Sequence, residues 1–291
     1  MSLTGKAKVA GIIGWPVSHS LSPVLHGHWL EEYKIDGAMV PLAARTEDFS
    51  AVIDGARRAG FRGVNVTVPH KEAAFALAHS ADDAAKHAGA ANLLVFREDG
   101  TIHARNTDSY GLFASVKDAL KSNPALGKSV VVLGAGGAAR GVVAAMISPL
   151  GASWIHILNR DAERARNIAK QLTEEGSKTE LIPGGLDDWA IAAKDASLVV
   201  NSTSAGMGDN PPLNIDLSLL PKDAVVCDIV YNPLETKLLR DAAARGFRTI
   251  DGLGLLMHQA VPSFEAFFGE SPIVTPTLRA ALVKVLSARA S

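Results

Sequence analysis

The chain has 291 residues, more than one compact domain usually holds, which points to two domains. Hydrophobic residues make up 47% and charged residues 20%, and the formal net charge is -1, so the composition indicates neither a nucleic-acid partner nor a membrane surface. The lone Cys227 cannot form an internal disulfide, no apolar run reaches the roughly 18 residues of a membrane span, and no signal peptide is recognisable, so a cytoplasmic protein is expected.

Val9–Trp15 reads as a first strand, and Ser22-Pro23 opens a helix with Ser22 as N-cap. Val40–Ala44 reads as a second strand, and Thr46 caps a helix running to about Ala59. Val64, Val66 and Val68 alternate with Asn65 and Thr67, which is strand periodicity. Helical segments follow from Lys71 to about His87. Asn92–Phe96 and Ile102–Arg105 then form two strands joined at Asp99-Gly100, a hairpin signal. After a pause at Ser122–Gly127 a new series begins, with strands at Val130–Leu133, Trp154–Leu158, Leu198–Asn201 and Val225–Ile229. Strands alternating with helices imply a parallel sheet covered on both faces. The expected fold is therefore two α/β domains: residues 1–109, a Rossmann-like nucleotide domain over 110–250, and helices over 251–291 that return to the first domain.

Gly134-Ala135-Gly136-Gly137-Ala138-Ala139 matches G-x-G-x-x-(G/A) between a predicted strand and a predicted helix, the context that dinucleotide binding requires. Gly134 permits the tight turn, Gly136 the approach of a pyrophosphate, and Ala139 close helix packing. Such a turn also serves plain packing. The second strand of this series ends at Asn159-Arg160 rather than at an acidic residue, and Arg164 lies one turn on. Two guanidinium groups suit a ribose 2′-phosphate; as solvated helix-start residues they need no ligand at all. Asp161 would repel a phosphate or bind a bare ribose.

Asn65 and Thr67 share one face of their strand, and buried polar side chains there need partners that a polyol ligand can supply. Lys71 follows Pro69 just beyond the strand end, where open α/β sheets bind ligands. On its own it reads more readily as a solvated helix-start lysine, and Asp108 of Asn106-Thr107-Asp108 as a helix N-cap. Nine scattered histidines show no zinc-like spacing, and no metal is expected.

Together these segments resemble the shikimate dehydrogenase family. The matching motifs are Ser18-His19-Ser20-Leu21-Ser22-Pro23, Asn65–Lys71, Gly89-Ala90-Ala91-Asn92, Asn106-Thr107-Asp108 and the Gly134 turn. Asn159-Arg160 with Arg164-Ala165, Asn201–Met207, Tyr231-Asn232-Pro233, and Gly252-Leu253-Gly254 with Gln259 complete the series, in the family's order and over nearly the whole chain.

The resemblance implies a reversible, NADPH-dependent reduction of 3-dehydroshikimate to shikimate in aromatic amino-acid biosynthesis, with NAD as a possible second cofactor. It implies that Lys71 and Asp108 are the catalytic pair. Ser18 and Ser20 would bind the substrate carboxylate with Tyr231 nearby; Thr67, Asn92 and Gln259 would bind ring hydroxyls, and Asn65 would support the strand and touch the substrate. The cofactor would be lined by Asp83, Gly134, Ala135, Gly136, Gly137, Ala138, Asn159, Arg160, Asp161, Arg164, Thr203, Ile229 and Gly252. The protein would be a monomer or homodimer. Leu93, Leu255 and Asp161 depart from the family's usual Thr, Met and Thr, and Arg105 and Tyr110 flank the Asn106 motif where other residues are common. Two rival readings follow. One is an NAD-dependent quinate/shikimate dehydrogenase, favoured by Asp161 and opposed by Ser20. The other is a non-catalytic nucleotide sensor, which would not need both Lys71 and Asp108.

Overall fold

The computed structural model describes residues 3–173 and 177–290. The chain divides into two compact units, residues 1–107 with 259–291, and residues 108–258.

The first unit contains β1 (Lys8–Gly14), α1 (Ser22–Glu32), β2 (Gly37–Ala43), α2 (Phe49–Arg58), β3 (Gly63–Val66), α3 (Lys71–Leu77), β4 (Ser80–Ala81), α4 (Asp83–Ala88), β5 (Leu93–Phe96) and β6 (Ile102–Arg105). These strands form one sheet in the order β2-β1-β3-β5-β6-β4. β1 runs parallel to β2 and β3, whereas β5 runs antiparallel to both β3 and β6. The sheet is thus mixed: β5 alone runs against the other strands, and the Asp99-Gly100 hairpin returns the chain into β6. β1 has its two sequence successors on opposite sides. That makes its C-terminal end a topological switch point, where open sheets bind ligands.

Several local expectations are corrected. Ser22 is the first helical residue of α1, and Leu21 stands at the N-cap position without a side-chain bond. The Ser20 hydroxyl accepts from the Ser22 amide instead, at 3.2 Å. Thr46 opens a single 3-10 turn, and the α-helix starts only at Phe49. β3 stops at Val66, so Val68 leaves the alternation and is 58% exposed.

The second unit begins with α5 (Asp108–Leu120), followed by β7 (Ser129–Leu133), α6 (Gly137–Ile147), β8 (Trp154–Leu158), α7 (Ala162–Leu172), β9 (Glu180–Gly184), α8 (Trp189–Ala192), β10 (Ala196–Asn201), β11 (Val225–Asp228), α9 (Lys237–Ala244) and β12 (Arg248–Ile250). Its sheet has the order β12-β11-β10-β7-β8-β9, with every recorded pairing parallel. Numbered within the unit this is 6-5-4-1-2-3, the dinucleotide-binding order, whose switch point lies between β7 and β10. The unbroken valine runs have a direct cause. Val130, Val132, Leu198, Val200 and Val225 pack on one face, while Val131, Leu133, Val199 and Val226 pack on the other. Both faces are covered, so successive residues are all apolar.

α10 (Gly252–Phe268) starts in the second unit and ends in the first, and α11 (Pro276–Ala290) belongs to the first. The last turns of α10 pack on α1. There His26 lies in a ring of Trp29, Phe264, Phe267 and Phe268, with centroids 5.8–6.3 Å away. Its Nδ1 is buried with no hydrogen-bond partner among the described residues. Burial pushes the pKa of this imidazole down to about 3.

Candidate active site

The polar residues of the first unit gather at one end of its sheet. Ser18 and Ser20 follow β1, and Thr67 and Lys71 follow β3. Because β5 is antiparallel to β3, Asn92 just before β5 arrives at the same end, as does Thr107 just after β6. The loops are tied together by backbone bonds: Trp15 N to Val68 O at 3.1 Å, Thr67 N to Ile13 O at 2.9 Å, and Ala91 N to Lys71 O at 2.8 Å. Thr67 lies directly over Gly14, where a Cβ would stand 2.4 Å from the threonine methyl.

A buried amide and hydroxyl network lies behind these loops. Asn92 Nδ2 donates to Thr107 Oγ1 at 3.0 Å and to Gln259 Oε1 at 3.3 Å. Asn92 Oδ1 accepts from Thr107 N at 2.9 Å, and Thr107 Oγ1 donates to Gln259 O at 2.8 Å. Asn65 Nδ2 donates to Ser263 Oγ at 2.8 Å and leans on Asn92 O at 3.4 Å. That fixes its amide orientation and leaves Oδ1, on a residue only 4% exposed, with no partner among the described residues. A buried acceptor without a partner is costly. Ser18 is exposed, Ser20 and Lys71 are half-buried, and Asp108 is buried at the first turn of α5.

Two residues that sequence reasoning missed hold this scaffold. Asp82 Oδ1 caps α4 through Ala85 N at 2.8 Å and accepts from Asn106 N at 3.3 Å, fixing the approach to Thr107. The His70 ring stacks on Phe49 and bonds Ala44 O at 2.8 Å, anchoring the start of α3 beside Lys71. Asp83, one residue on from Asp82, points to solvent and pairs with Lys86 at 3.0 Å; it lies in the first unit, apart in sequence and unit from the glycine turn.

In the second unit the glycine turn sits at the switch point. Gly134 has φ +114°, and a Cβ there would meet Ser202 Oγ at 2.7 Å and Thr203 Cγ2 at 2.9 Å, so protein packing alone demands glycine. Gly136 and Gly137 differ: a Cβ at either would meet nothing within 4 Å. Glycine there leaves open space in front of the N-terminus of α6, which no side chain caps, as a pyrophosphate cradle requires. Ala135 and Ala138 complete the turn. Asp161 is the N-cap of α7, its Oδ1 accepting from Glu163 N at 3.0 Å, and its backbone carbonyl accepts from Asn159 Nδ2 at 3.0 Å. The Arg160 and Arg164 side chains are exposed and make no hydrogen bond or ion pair among the described residues. Thr203 bonds Asn201 beside the turn, and Gly252 packs on the Ile229 carbonyl, where a Cβ would stand at 2.2 Å. Tyr231 follows on the same loop, half-buried.

A Rossmann-type unit with an open glycine turn, joined to a mixed α/β unit with a polar site at its switch point, defines the class of two-domain nicotinamide-nucleotide oxidoreductases. The comparisons narrow it. Residues 12–94 match the sequence model of the shikimate dehydrogenase substrate binding domain, and residues 117–207 that of shikimate / quinate 5-dehydrogenase. A shikimate dehydrogenase (NADP(+)) of Paramagnetospirillum magneticum is 48% identical over 281 residues, covering 96% of this chain and 99% of its own. The crystal structure of a shikimate dehydrogenase in complex with NADP+ superposes with TM-score 0.88 at 31% identity, covering 98% of each chain. That of the Thermus thermophilus enzyme with NADP(H) and shikimate gives TM-score 0.82 at 31% identity, covering 95% of this chain and 99% of the other. The chain belongs to the shikimate dehydrogenase family.

Proposed function

We propose that the chain interconverts 3-dehydroshikimate and shikimate with NADP(H), in the cytoplasm, as a step of aromatic amino-acid biosynthesis. The observation that carries this reading is the orphan Asn65 Oδ1 within the buried Asn92–Thr107–Gln259 network, a site made for a ligand rich in hydroxyl groups. Asn65, Thr67, Asn92 and Gln259 bind the ring hydroxyls, and Ser18, Ser20 and Tyr231 the carboxylate.

The residues present fit NADP. Gly134–Ala138, Thr203, Ile229 and Gly252 would line it. Arg160 and Arg164 would hold the 2′-phosphate, supported by the turning of the Asp161 carboxylate toward its own helix. When bound, the nicotinamide supplies or accepts a hydride, which is the cofactor's own chemistry. The protein manages charge and the proton. The substrate carbonyl oxygen gathers negative charge during reduction, and the Lys71 ammonium stabilises it and delivers a proton. Asp108 orients that lysine and accepts from the same hydroxyl. In the reverse direction Lys71 takes the proton back.

The test follows absorbance at 340 nm with shikimate or quinate and with NADP or NAD. The reading expects shikimate with NADP to give the largest kcat/KM of the four combinations. Faster turnover of quinate with NAD would overturn it.

A further inference from the structure

Asp228 takes no part in the chemistry described above, yet it is a carboxylate with 0% exposure at the end of an apolar strand. Its Oδ1 accepts from Asn201 Nδ2 at 2.9 Å and from Val230 N at 3.0 Å; its Oδ2 accepts from Thr236 Oγ1 at 2.7 Å. Asn201 ends the neighbouring strand in register with it and is equally buried. The other side of the Asn201 amide faces the loop beyond β10. Its Oδ1 accepts from Thr203 N at 3.0 Å and from Thr203 Oγ1 at 2.7 Å, and Thr203 Oγ1 in turn accepts from Ala205 N at 3.0 Å. Thr203 is the residue whose methyl abuts the Gly134 turn.

The direction of this relay is set by charge. If the Asn201 amide turned over, its oxygen would face the Asp228 carboxylate and its NH2 group would face the Thr203 amide, opposing like with like at both ends. Apolar residues would join β10 to β11 at no greater cost, since replacing a buried charge by well-packed apolar groups is often neutral or stabilising. A buried carboxylate is retained more readily where it fixes an orientation.

We propose that Asp228 is a positioning residue for the cofactor site: acting through Asn201, it holds residues 202–205 against the glycine turn in the form that receives the nicotinamide nucleotide. The proposal rests on the reading of that turn as the NADP site. Burial raises the Asp228 pKa, opposed by its hydrogen bonds from Thr236, Val230 and Asn201.

The experiment measures dissociation constants for NADP and, separately, for shikimate by calorimetric titration of the full chain, with thermal melting of each variant. Asp228→Ala should weaken NADP binding about tenfold, and Asp228→Asn, which keeps the shape and loses the charge, about threefold. Shikimate binding should weaken less than NADP binding does, because Asn65, Thr67, Asn92, Gln259, Ser18 and Ser20 lie in the other unit and Tyr231 alone shares the loop beyond Asp228. Asn201→Ala should weaken NADP binding about tenfold. The Asp228→Ala/Asn201→Ala double variant should be no weaker than the worse single variant, because both interrupt one relay. Should Asp228→Ala fail to fold, Asp228→Asn alone decides. Parent-like NADP affinity in the folded variants, equal loss of both ligands, or additive losses in the double variant would each overturn the proposal. Gly136→Val serves as the control. If it binds NADP as the parent does, the cofactor reading itself falls and takes the proposal with it. If it does not, a negative result at Asp228 counts against the relay alone.

Discussion

Lys71 carries the sharpest demand at the scale of single residues. Losing a positioned proton donor removes roughly 10²- to 10⁴-fold in rate, and losing charge stabilisation adds to that. Lys71→Ala should therefore lower kcat by at least about 10²-fold in the 340 nm assay while NADP titration remains parent-like; near-normal turnover would remove Lys71 from the chemistry. The cofactor arginines make a second demand. Arg160→Ala should raise the KM for NADP about 10- to 100-fold more than that for NAD, the worth of one charge-assisted bond. Equal effects on both cofactors would end the 2′-phosphate assignment. Asp161→Thr should sharpen the preference for NADP without loosening α7, because threonine can also serve as N-cap. Legibility at this scale is uneven. Asn65 stands out because an amide amid apolar neighbours needs a partner, whereas Asn92 and Gln259 are legible only through the family's motifs. Ser263, Asp82 and Asp228 do not stand out, because what they hold lies far away in sequence or on a backbone amide, and no local spacing encodes that.

The two glycines of one turn separate fold from ligand at the scale of elements. Gly134→Ala brings both a left-handed φ and a Cβ packed against Ser202 and Thr203, and should destabilise the protein by about 2–4 kcal/mol. Gly136→Ala meets open space at a φ of -102°, which any residue adopts, and should leave the melting temperature unchanged while raising the KM for NADP. Melting curves and NADP kinetics on the two variants check both statements; a stability loss at Gly136 would show that packing, not a ligand, requires that glycine. The elements most legible in the sequence are those whose pattern both faces enforce, such as β7, β8 and β10. β9 is not legible because Pro183 interrupts it, which an edge strand tolerates. β12 is not legible because it has only three residues, at the opposite edge. Val68 reads as strand because alternation continues through Thr67, whereas the chain turns away after Val66 to form the loop before Lys71.

At the scale of the whole molecule, His26 links stability to pH. It is neutral in the folded chain down to about pH 3, whereas the unfolded chain protonates an ordinary histidine near 6.5. Between those values the unfolded state binds the extra proton. Stability is therefore full above about pH 6.5 and falls by roughly 1.4 kcal/mol per pH unit as the solution is acidified toward 3. His26→Leu should shrink the difference between melting temperatures at pH 7.5 and pH 5.5; an unchanged difference would assign the acid sensitivity to other groups. The two-unit α/β plan is legible because alternating strands and helices leave few alternatives. The mixed character of the first sheet is not, since a hairpin signal does not say which neighbour its strands will join.

The polypeptide leaves the first unit after Thr107 and re-enters it at Gln259, and the Thr107 hydroxyl donates to the Gln259 carbonyl at 2.8 Å. The nucleotide-type unit is therefore an insertion between two residues that bond each other within the first unit. Insertions of this geometry are excisable, because closing the gap asks almost nothing of the chain. A spliced polypeptide running from residue 107 through a short glycine linker to residue 259 should fold and melt in one cooperative transition, followed by circular dichroism; a non-cooperative melt would mean that the host needs its guest. The same junction would accept a foreign domain with neighbouring termini, which makes this chain a natural graft site.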